Sequence, residues 1–422
     1  MDKIQIIGGN PLIGEVKISG AKNSALPIMA ASLLTDEVIS ISNIPYLSDI
    51  NSMIKLLESL NVTVTKKKKN INFKSKKPSS FSASYELVRR MRASFLILGP
   101  LLARYGNASV SLPGGCAIGT RPVDLHLDGF EKMGVQFKIN SGYISGNCKG
   151  GLKGSVIKLK RISVGATENL MMAATLAEGN TVIKNSAREP EIVDLAELLI
   201  KMGANIEGHG SEVIKITGRK KLNGCNFRIM PDRIESGTFV LCVFGCSGKI
   251  KLLNLNKSIC KHLQDIFKPL KSLSLIPQDG GKSLLVEKKK ETEVMLKVKT
   301  REYPGFPTDL QAQLTSSLLK TRGKSEIQEN IFENRFMHVS ELIRMGANLK
   351  QNGSTVIVSK TDNLKGAEVM ATDLRASSSL VIAGLMADGQ TIINRVYHLD
   401  RGYEEIEKKL ERCGAKIKRI KK

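Results

Sequence analysis

One segment of the chain combines the residue types of covalent catalysis with an unusual density of glycine. In SLPGGCAIGTRPVDLH (111–126), three glycines surround Cys116, and Arg121 follows five residues later. A backbone rich in glycine can approach a ligand closely, and a thiol beside cations is more reactive than a buried one. Because most lone cysteines are inert, composition alone leaves a structural role for Cys116 open. No Lys-Ser or Lys-Thr pair follows the glycines, so this is not a phosphate-binding P-loop.

A carboxylate and a set of arginines could complete such chemistry. Asp309 opens an apolar helix in PGFPTDLQAQ (304–313); a helix cap is its ordinary role, and it is a candidate general base if a cleft raises its pKa near a hydroxyl. Arginine binds carboxylate and phosphate through paired N–H groups and keeps its charge. The set therefore suits a substrate that carries both groups, with surface salt bridges as the alternative for each member. These arginines stand in loops or at helix starts, at Arg92, Arg121, Arg335, Arg375 and Arg401.

A pattern that recurs about every seventy residues must position these side chains. In each unit a helix ends at a turn that leads directly into a strand, and glycine suits the left-handed turn after a helix. The turn positions are Asn61, Gly134, Gly203, Ser274, Gly346 and Gly414, which lie 73, 69, 71, 72 and 68 residues apart. Six such units use the whole chain. The sequence therefore predicts an α/β protein built from six repeated units.

The first helix of each unit begins with polar or charged residues and then becomes apolar. Helix N-termini carry unpaired N–H groups and the positive end of the helix dipole. If the units form two groups of three, six such ends can meet at one cleft and bind an anion, although ordinary capping is the alternative for any single end. These helices begin the segments 20–31, 90–100, 164–174, 232–243, 307–318 and 372–383.

Composition excludes several classes of protein. The net charge is +24, but the lysine runs contain few aromatic residues and the chain has no tryptophan, which argues against single-stranded nucleic acid as a partner. No helix-turn-helix or RNA-recognition signature appears, no apolar run is long enough for a membrane span, and the N-terminus does not resemble a signal peptide. Seven scattered cysteines indicate a reducing cytoplasm and no disulfide framework. The histidine spacing predicts no metal site.

Ten segments together resemble the bacterial UDP-N-acetylglucosamine enolpyruvyl transferases, collinearly from Met1 to beyond Gly414. They are SGAKNSALPIMAA, MRAS, LPGGCAIGTRPVDLH, SVGAT, AREPEIVD, PDRIESGTF, FPTDLQAQ, FENRFMH, ATDLRAS and YHLDRGYE. The resemblance implies two inside-out α/β lobes, each of three βαβαββ units, with the active site in the cleft between them. One lobe would be 22–229 and the other 1–21 with 230–422.

The resemblance also implies a reaction. The enolpyruvyl group of phosphoenolpyruvate passes to the 3′-hydroxyl of UDP-N-acetylglucosamine and phosphate is released, without a cofactor, as the first committed step of peptidoglycan precursor synthesis. The implied partners are these two small molecules, not nucleic acid or a membrane, and the implied state is a monomer or weak oligomer in the cytoplasm. An epoxide phosphonate of the fosfomycin type is expected to alkylate Cys116.

Residue by residue, the resemblance assigns roles to positions of this sequence. Cys116 would be the general acid, able also to add to C2 of phosphoenolpyruvate, and Asp309 the carboxylate beside the sugar 3′-hydroxyl. Phosphoenolpyruvate would be bound by Lys22, Asn23, Arg92, Arg121 and Arg401. The UDP-sugar would be bound by Arg92, Arg121, Pro122, Val123, Asp124, Leu125, Arg161, Ile162, Ser163, Val164, Gly165, Asp309 and Ile331. Arg335 and Arg375 would help to close the lobes. Arg161 stands where relatives often carry lysine, which keeps the charge and changes its geometry.

Three alternative functions remain at this stage. One is a nucleic-acid binder driven by the positive charge, which a steep salt dependence of DNA binding would support. A shikimate-type enolpyruvyl transferase would share the six-unit fold but would lack the cysteine loop. A catalytically silent paralogue would usually have lost the acid or a phosphate-binding cation. This chain keeps all of these residues, namely Cys116, Asp309, Lys22, Arg121 and Arg401.

Overall fold

The computed structural model describes residues 2–67, 70–88, 91–112, 123–289 and 293–421. The described chain divides into two compact units. One unit comprises the residues up to Ser19 together with those from Pro231 onward, and the other comprises the described residues from Gly20 to Met230.

The helices vary with their position relative to the core. The helices α8 (Arg233–Cys246) and α12 (Leu374–Met386) are buried on nearly all sides and are mostly apolar, as expected for helices in the middle of a domain. In bounds, the helices are α1 (Lys22–Ala30), α2 (Ser48–Ser59), α3 (Tyr85–Val88), α4 (Leu98–Tyr105), α5 (Asp124–Lys132), α6 (Val164–Ala174), α7 (Pro190–Lys201), α8 (Arg233–Cys246), α9 (Lys257–Phe267), α10 (Gln311–Ser317), α11 (Met337–Arg344), α12 (Leu374–Met386) and α13 (Ile406–Glu411). Short 3₁₀ helices lie at Ala31–Leu34, Arg92–Ile97, Asp279–Gly281, Thr308–Leu310 and Val396–Arg401.

The strands alternate buried and solvent-facing residues, which is typical of a sheet with one face against the core. They are β1 (Lys3–Ile7), β2 (Leu12–Lys17), β3 (Val38–Ser42), β4 (Val62–Lys67), β5 (Asn70–Ser75), β6 (Ser82–Ala83), β7 (Asn107–Ser111), β8 (Gln136–Asn140), β9 (Tyr143–Asn147), β10 (Val156–Lys158), β11 (Asn180–Lys184), β12 (Asn205–Glu207), β13 (Val213–Thr217), β14 (Cys225–Arg228), β15 (Gly248–Leu253), β16 (Leu273–Gln278), β17 (Ser283–Lys288), β18 (Lys297–Lys299), β19 (Lys324–Gln328), β20 (Leu349–Asn352), β21 (Thr355–Ser359), β22 (Glu368–Met370), β23 (Gln390–Asn394) and β24 (Lys416–Ile420).

Six four-stranded sheets share one pattern of pairing, in which a parallel pair is extended by two antiparallel strands. In the unit that contains both chain ends the strand orders are β22-β23-β1-β24, β16-β17-β15-β2 and β18-β19-β21-β20. In the other unit they are β14-β3-β5-β4, β6-β7-β9-β8 and β10-β11-β13-β12. The repetition of one sheet type six times confirms the predicted α/β fold of repeated units.

Five of the six predicted turn positions have the left-handed backbone that the sequence indicated. Positive φ angles occur at Gly134, Gly203, Gly346 and Gly414, and also at Asn61, a residue type that tolerates this region. The prediction is wrong at Ser274, which lies inside β16. There α9 ends at Phe267, and Pro269 follows closely, so the helix stops before a glycine turn is needed.

Helix capping holds the N-termini of two central helices. Asp232 Oδ1 accepts hydrogen bonds from the N–H groups of Ile234 and Glu235 at 2.7 and 2.9 Å. Asp373 caps α12 in the same way, through the N–H groups of Arg375 and Ala376. The helices α8, α10 and α12 pack against one another in this unit, and α12 carries Arg375 in its first turn.

Candidate active site

Asp309 lies between two buried arginines. The 3₁₀ helix Thr308–Leu310 leads into α10 and presents this carboxylate. Its Oδ1 accepts a hydrogen bond from Arg335 Nη2 at 2.7 Å, and its Oδ2 accepts one from Arg375 Nη2 at 2.6 Å. The two arginine side chains are 5% and 6% exposed, whereas that of Asp309 is 24% exposed. The sequence left a helix-capping role open for Asp309. In the structure, both of its carboxylate oxygens are bound to arginines instead.

The two guanidinium groups determine the acid strength of Asp309. Burial alone would raise the pKa of its carboxyl group, but Arg375 and Arg335 outweigh burial and hold that pKa well below its usual range. Burial likewise disfavours the charged form of Arg375, and Asp309 restores it, so the pKa of Arg375 is raised. The raised pKa that would make Asp309 a strong general base is therefore not found. As a weak base, it can accept a hydrogen bond from a hydroxyl and take a proton from an oxygen that has already become acidic.

Glu329 orders the residues around this pair. Its Oε1 accepts hydrogen bonds from Thr300 Oγ1 at 2.9 Å and from the N–H groups of Ile331 and Phe332 at 2.8 and 3.1 Å. Its Oε2 accepts a hydrogen bond from Thr308 Oγ1 at 2.8 Å. Thr308 Oγ1 in turn accepts a hydrogen bond from Arg335 Nη1 at 3.1 Å. Glu329 thus fixes both the predicted sugar contact Ile331 and the arginine that holds Asp309. Glu329 was not predicted, because no sequence signal separates it from other glutamates.

In the other unit, Lys22 opens α1 and has a buried carboxylate as a partner. Lys22 Nζ lies 3.2 Å from Asp49 Oδ2 in the first turn of α2, and the two side chains are 11% and 6% exposed. A buried cation of this kind requires such a countercharge. Asp49 was not predicted, because its only signal in the sequence is its place in the first turn of an amphipathic helix. Asn23 follows in the same turn of α1 and is half-buried.

Two helix starts bring the predicted UDP-sugar residues of this unit together. Asp124 opens α5, and Ser163 caps α6, where Ser163 Oγ accepts the N–H of Ala166 at 3.3 Å. Arg161 Nη2 donates to Asp124 Oδ1 at 2.7 Å, with both side chains substantially exposed. The structure therefore joins the predicted segments 123–125 and 161–165. Because the pair is exposed, it contributes little to stability and is free to exchange for another charged partner.

His126 lies in the first turn of α5 and contacts Asn169 of α6, so it links these two helix starts. It too was not predicted from the sequence. Asn169 Nδ2 donates to Phe95 O at 3.0 Å and lies 3.1 Å from His126 Nδ1, and Asn169 Oδ1 accepts the N–H of Gly99 at 2.7 Å. An amide nitrogen only donates, so Nδ1 accepts and the ring proton is on Nε2. Burial, with a further contribution from Arg92, lowers the pKa of His126 to about 3 despite the opposing charge of Asp124. The ring is neutral at physiological pH, and a Cβ at Gly165 would lie 3.6 Å from it.

The predicted residues are divided between the two units. Lys22, Asn23, Arg92, 123–125 and 161–165 belong to one unit, and Asp309, Ile331, Arg335, Arg375 and Arg401 belong to the other. Arg92 begins its 3₁₀ helix and Arg401 ends the 3₁₀ helix Val396–Arg401. Cys116, Arg121 and Pro122 lie outside the described residues.

Within the described ranges, no group of three or more histidine, cysteine, aspartate or glutamate side chains has the arrangement of a metal site. In the same part of the chain, no helix combines the length and the apolar character that crossing a membrane demands.

Comparison with known proteins adds three findings. A family model described as EPSP synthase (3-phosphoshikimate 1-carboxyvinyltransferase) matches residues 6–410. The UDP-N-acetylglucosamine 1-carboxyvinyltransferase of Shewanella amazonensis is 51% identical over 421 residues and covers 100% of both chains. The protein of the same name from Paramagnetospirillum magneticum is 49% identical over 430 residues, covering 100% of this chain and 99% of its own.

Solved structures share the fold at low sequence identity. The enolpyruvyl transferase NikO from Streptomyces tendae has a TM-score of 0.86 at 20% identity and covers 99% of both chains. EPSP synthase from Acinetobacter baumannii has a TM-score of 0.76 at 16% identity and covers 100% of both chains.

Proposed function

This chain belongs to the EPSP synthase family of 1-carboxyvinyltransferases, and from that premise we propose that it is a UDP-N-acetylglucosamine 1-carboxyvinyltransferase. The observation that carries the proposal is an identity of about half with curated relatives of that name, extending over the whole length of the chain. The double ion pair of Asp309 and the joined helix starts at 123–125 and 161–165 support it. The same proposal places the protein at the first committed step of peptidoglycan precursor synthesis.

The reaction is an addition followed by an elimination. A proton adds to C3 of phosphoenolpyruvate, the sugar 3′-oxygen bonds to C2, and the hydroxyl proton departs, which gives a tetrahedral ketal that still carries phosphate. Loss of a proton from C3 then forms the new double bond as the bond from C2 to the phosphate oxygen breaks. The products are the enolpyruvyl ether and inorganic phosphate. No electrons are transferred, so the chemistry requires no redox cofactor.

We assign the proton at C3 to Cys116 on the basis of its glycine-rich loop and the family resemblance. Phosphoenolpyruvate carries a phosphate and a carboxylate, and Lys22, Asn23, Arg92, Arg121 and Arg401 are assigned to bind them. Cations and backbone N–H groups that stabilise the charge developing on departing phosphate contribute most to this type of catalysis. In this proposal, Cys116 donates its proton to C3 only after phosphoenolpyruvate is bound.

We assign to Asp309 the orientation of the 3′-hydroxyl. A carboxylate held by Arg335 and Arg375 is a weak base, but the hydroxyl oxygen becomes strongly acidic as it bonds to C2. The carboxylate can therefore take the proton late in the addition step, and correct orientation of the hydroxyl matters more than basicity. A role of the two arginines in lobe closure remains a prediction.

We assign UDP binding to the two helix starts in the other unit. The first turn of α6 at Ser163–Gly165 presents N–H groups and the positive end of a helix dipole, which favour phosphate. Val123 and Leu125 are almost fully buried and fix the start of α5. Arg161 can leave Asp124 for a diphosphate at little cost, because that ion pair is exposed.

The proposal extends to the organisation of the protein. The two units would be the two lobes of the family, with boundaries near residues 21 and 230. The six described cysteines are free thiols, as is usual for a protein of the reducing cytoplasm, where we propose that the enzyme works. A monomer or weak oligomer is the expected state.

The test is phosphate release from phosphoenolpyruvate, measured with and without UDP-N-acetylglucosamine, for the wild type and for Cys116→Ala. Release that requires the sugar nucleotide and collapses in the variant would establish the reaction and the acid together. Release with shikimate 3-phosphate instead would move the protein to the shikimate-type enzymes. A folded wild type that releases phosphate with neither acceptor would contradict the proposal and favour a silent paralogue.

A further inference from the structure

The hydroxyl group of Tyr403 lies at the junction of α8, α10 and α12. Tyr403 is 2% exposed and comes two residues after the 3₁₀ helix Val396–Arg401. Its oxygen lies 2.9 Å from Thr238 Oγ1, 3.0 Å from Gln313 Nε2, 3.2 Å from Arg375 Nη1 and 3.2 Å from Ser378 Oγ. One buried hydroxyl thus contacts all three central helices of its unit.

The donors and acceptors around this hydroxyl are determined by their chemistry. The Gln313 amide nitrogen and the Arg375 guanidinium can only donate, so the phenolic oxygen accepts from both. Thr238 and Ser378 donate their own hydroxyl protons to main-chain carbonyl oxygens. They are therefore left to accept the single phenolic proton. The direction of both bonds that the phenolic oxygen accepts is therefore determined, and its one proton goes to either of the two hydroxyl oxygens.

Both donors to Tyr403 also hold Asp309. Arg375 Nη2 donates to the Asp309 carboxylate at 2.6 Å, and Gln313 Nε2 donates to the Asp309 main-chain carbonyl oxygen at 2.8 Å. The guanidinium of Arg375 also lies over the Tyr403 ring, 5.7 Å from its centroid. Tyr403 therefore contacts the partner of the Asp309 side chain and the partner of its backbone at once.

We propose that Tyr403 is a positioning residue, whose hydroxyl orients Arg375 and Gln313 and through them sets the place of the Asp309 carboxylate. The inference rests on the proposed function, in which that carboxylate orients the acceptor hydroxyl. A small displacement of an orienting group reduces the rate of the bound complex more than it reduces substrate affinity. The signature of Tyr403 is accordingly a loss in kcat with little change in KM.

The test compares Tyr403→Phe, which keeps the ring and removes the hydroxyl, with Ser378→Ala as the matched control. Ser378 is also buried and contacts the same hydroxyl. Its own proton goes to the main-chain oxygen of Arg375, and its side chain has no hydrogen bond to Asp309, to Gln313 or to the Arg375 guanidinium. Steady-state phosphate release with both substrates would give kcat and KM, and thermal unfolding would confirm that each variant is folded. We expect kcat to fall about tenfold or more in Tyr403→Phe with both KM values within about threefold, and kcat to stay within about twofold in Ser378→Ala.

A pH profile separates positioning from a general loss of structure. The charged groups that act on Asp309 are Arg335 and Arg375, and Asp232 acts in turn on Arg375. A loosened Arg375 would stabilise the carboxylate less, so its pKa would rise. The acid limb of the kcat profile should therefore move to higher pH in Tyr403→Phe and stay in place in Ser378→Ala.

Three results would overturn the inference while the proposed function stands. They are a folded Tyr403→Phe with wild-type kcat, a loss of kcat equal to that of Ser378→Ala, and a raised KM with unchanged kcat. A wild type without activity would overturn the proposed function, and the inference with it. If Tyr403→Phe does not fold, Gln313→Met decides, because it breaks the other branch between the hydroxyl and Asp309. An unchanged kcat in Gln313→Met would then refute the positioning role.

Discussion

At the scale of single residues, Asp309 combines a proposed functional role with an observed structural role in one side chain. The sequence placed it correctly at a helix start, and the resemblance placed it beside a hydroxyl. Neither indicated that Arg335 and Arg375 would occupy both of its oxygens, because those partners are 26 and 66 residues away. Ion pairs between distant segments depend on tertiary structure, which leaves no local pattern in the sequence.

The substitution Asp309→Asn should reduce kcat by about a hundredfold or more, because the weak base and one orienting charge are lost. It should also lower the free energy of unfolding by about 1–3 kcal/mol, a range reduced for the partial exposure of the carboxylate. Steady-state kinetics and denaturant unfolding measure the two effects. Asp362→Asn, at an exposed pair with Lys360, is the control and should change neither.

The difference in free energy of unfolding between wild type and Asp309→Asn depends on pH in a way that follows from the depressed pKa of Asp309. A carboxyl group with a lowered folded-state pKa stabilises the protein above its unfolded pKa of about 4, and the contribution is lost as pH falls through the folded value. The stability gap between wild type and Asp309→Asn should therefore be constant from pH 8 to about 5. A gap that closes already between pH 7 and 6 would contradict the ion pair.

Glu168 should give the folding stability the opposite dependence on pH. Burial, with the charges of Glu191 and Glu189, raises the pKa of this carboxyl group well above 4.5. The folded state therefore binds a proton that the unfolded state releases, and stability falls as pH rises from 4.5 toward the folded pKa. Glu168→Gln, which resembles the protonated acid, should melt at a higher temperature than wild type at pH 8 and at the same temperature near pH 4. The exposed Glu131→Gln is the control, and an equal shift at both pH values would refute the argument.

At the scale of elements, the sequence predicted what local chemistry controls. Positive φ at Gly134, Gly203, Gly346 and Gly414 follows from the need to end a helix and start a strand within one turn. The same argument failed at Ser274, where Pro269 had already ended the helix. The packing of helix against helix could not be predicted, because it depends on which faces meet across the core.

The contact between α4 and α6 provides a test of that packing. A Cβ at Gly99 would meet the main-chain and side-chain oxygens of Asn169 more closely than real Cβ atoms approach other atoms. Backbone cannot yield as a flexible side chain can, so Gly99→Ala should destabilise the protein by about 2–3 kcal/mol. Gly165→Ala, whose Cβ would make only ordinary contact with His126, should keep its stability. Denaturant unfolding of both variants gives the comparison, and equal midpoints would show that α4 and α6 adjust freely.

At the scale of the whole molecule, the repeat along the sequence predicted six copies of one α/β motif. It did not predict which strands complete each sheet. The strand β1 lies between β23 and β24, and β2 pairs with β15, so two sheets of one unit use strands from the start of the chain. Likewise β14 completes the sheet of β3 in the other unit. A pattern read along the sequence cannot show pairing between strands that are hundreds of residues apart.

Removal of residues 1–19 should unfold the unit that contains both chain ends and leave the unit formed by residues 20–230 folded. The reason is that β1 is an interior strand, so its loss leaves β24 without a strand partner and leaves one edge of β23 unpaired. Limited proteolysis followed by mass analysis would show cleavage confined to the region after Pro231. Addition of a peptide of residues 1–19 should restore protection, whereas a peptide of scrambled sequence should not. Equal protection of both regions without the peptide would contradict the role of β1.

The interior position of β1 also has a consequence for synthesis on the ribosome. Ile4 and Ile6 are fully buried, yet their neighbours Ile393, Thr391 and Ile417 are synthesised about 400 residues later. At ~5–20 residues per second, the first strand waits for roughly 20–80 seconds, while the unit of residues 20–230 can fold as soon as it has emerged. The nascent chain therefore carries an unpaired apolar strand for most of its synthesis. The sheet of β1 is therefore completed only when a segment made early in synthesis meets strands made about 400 residues later.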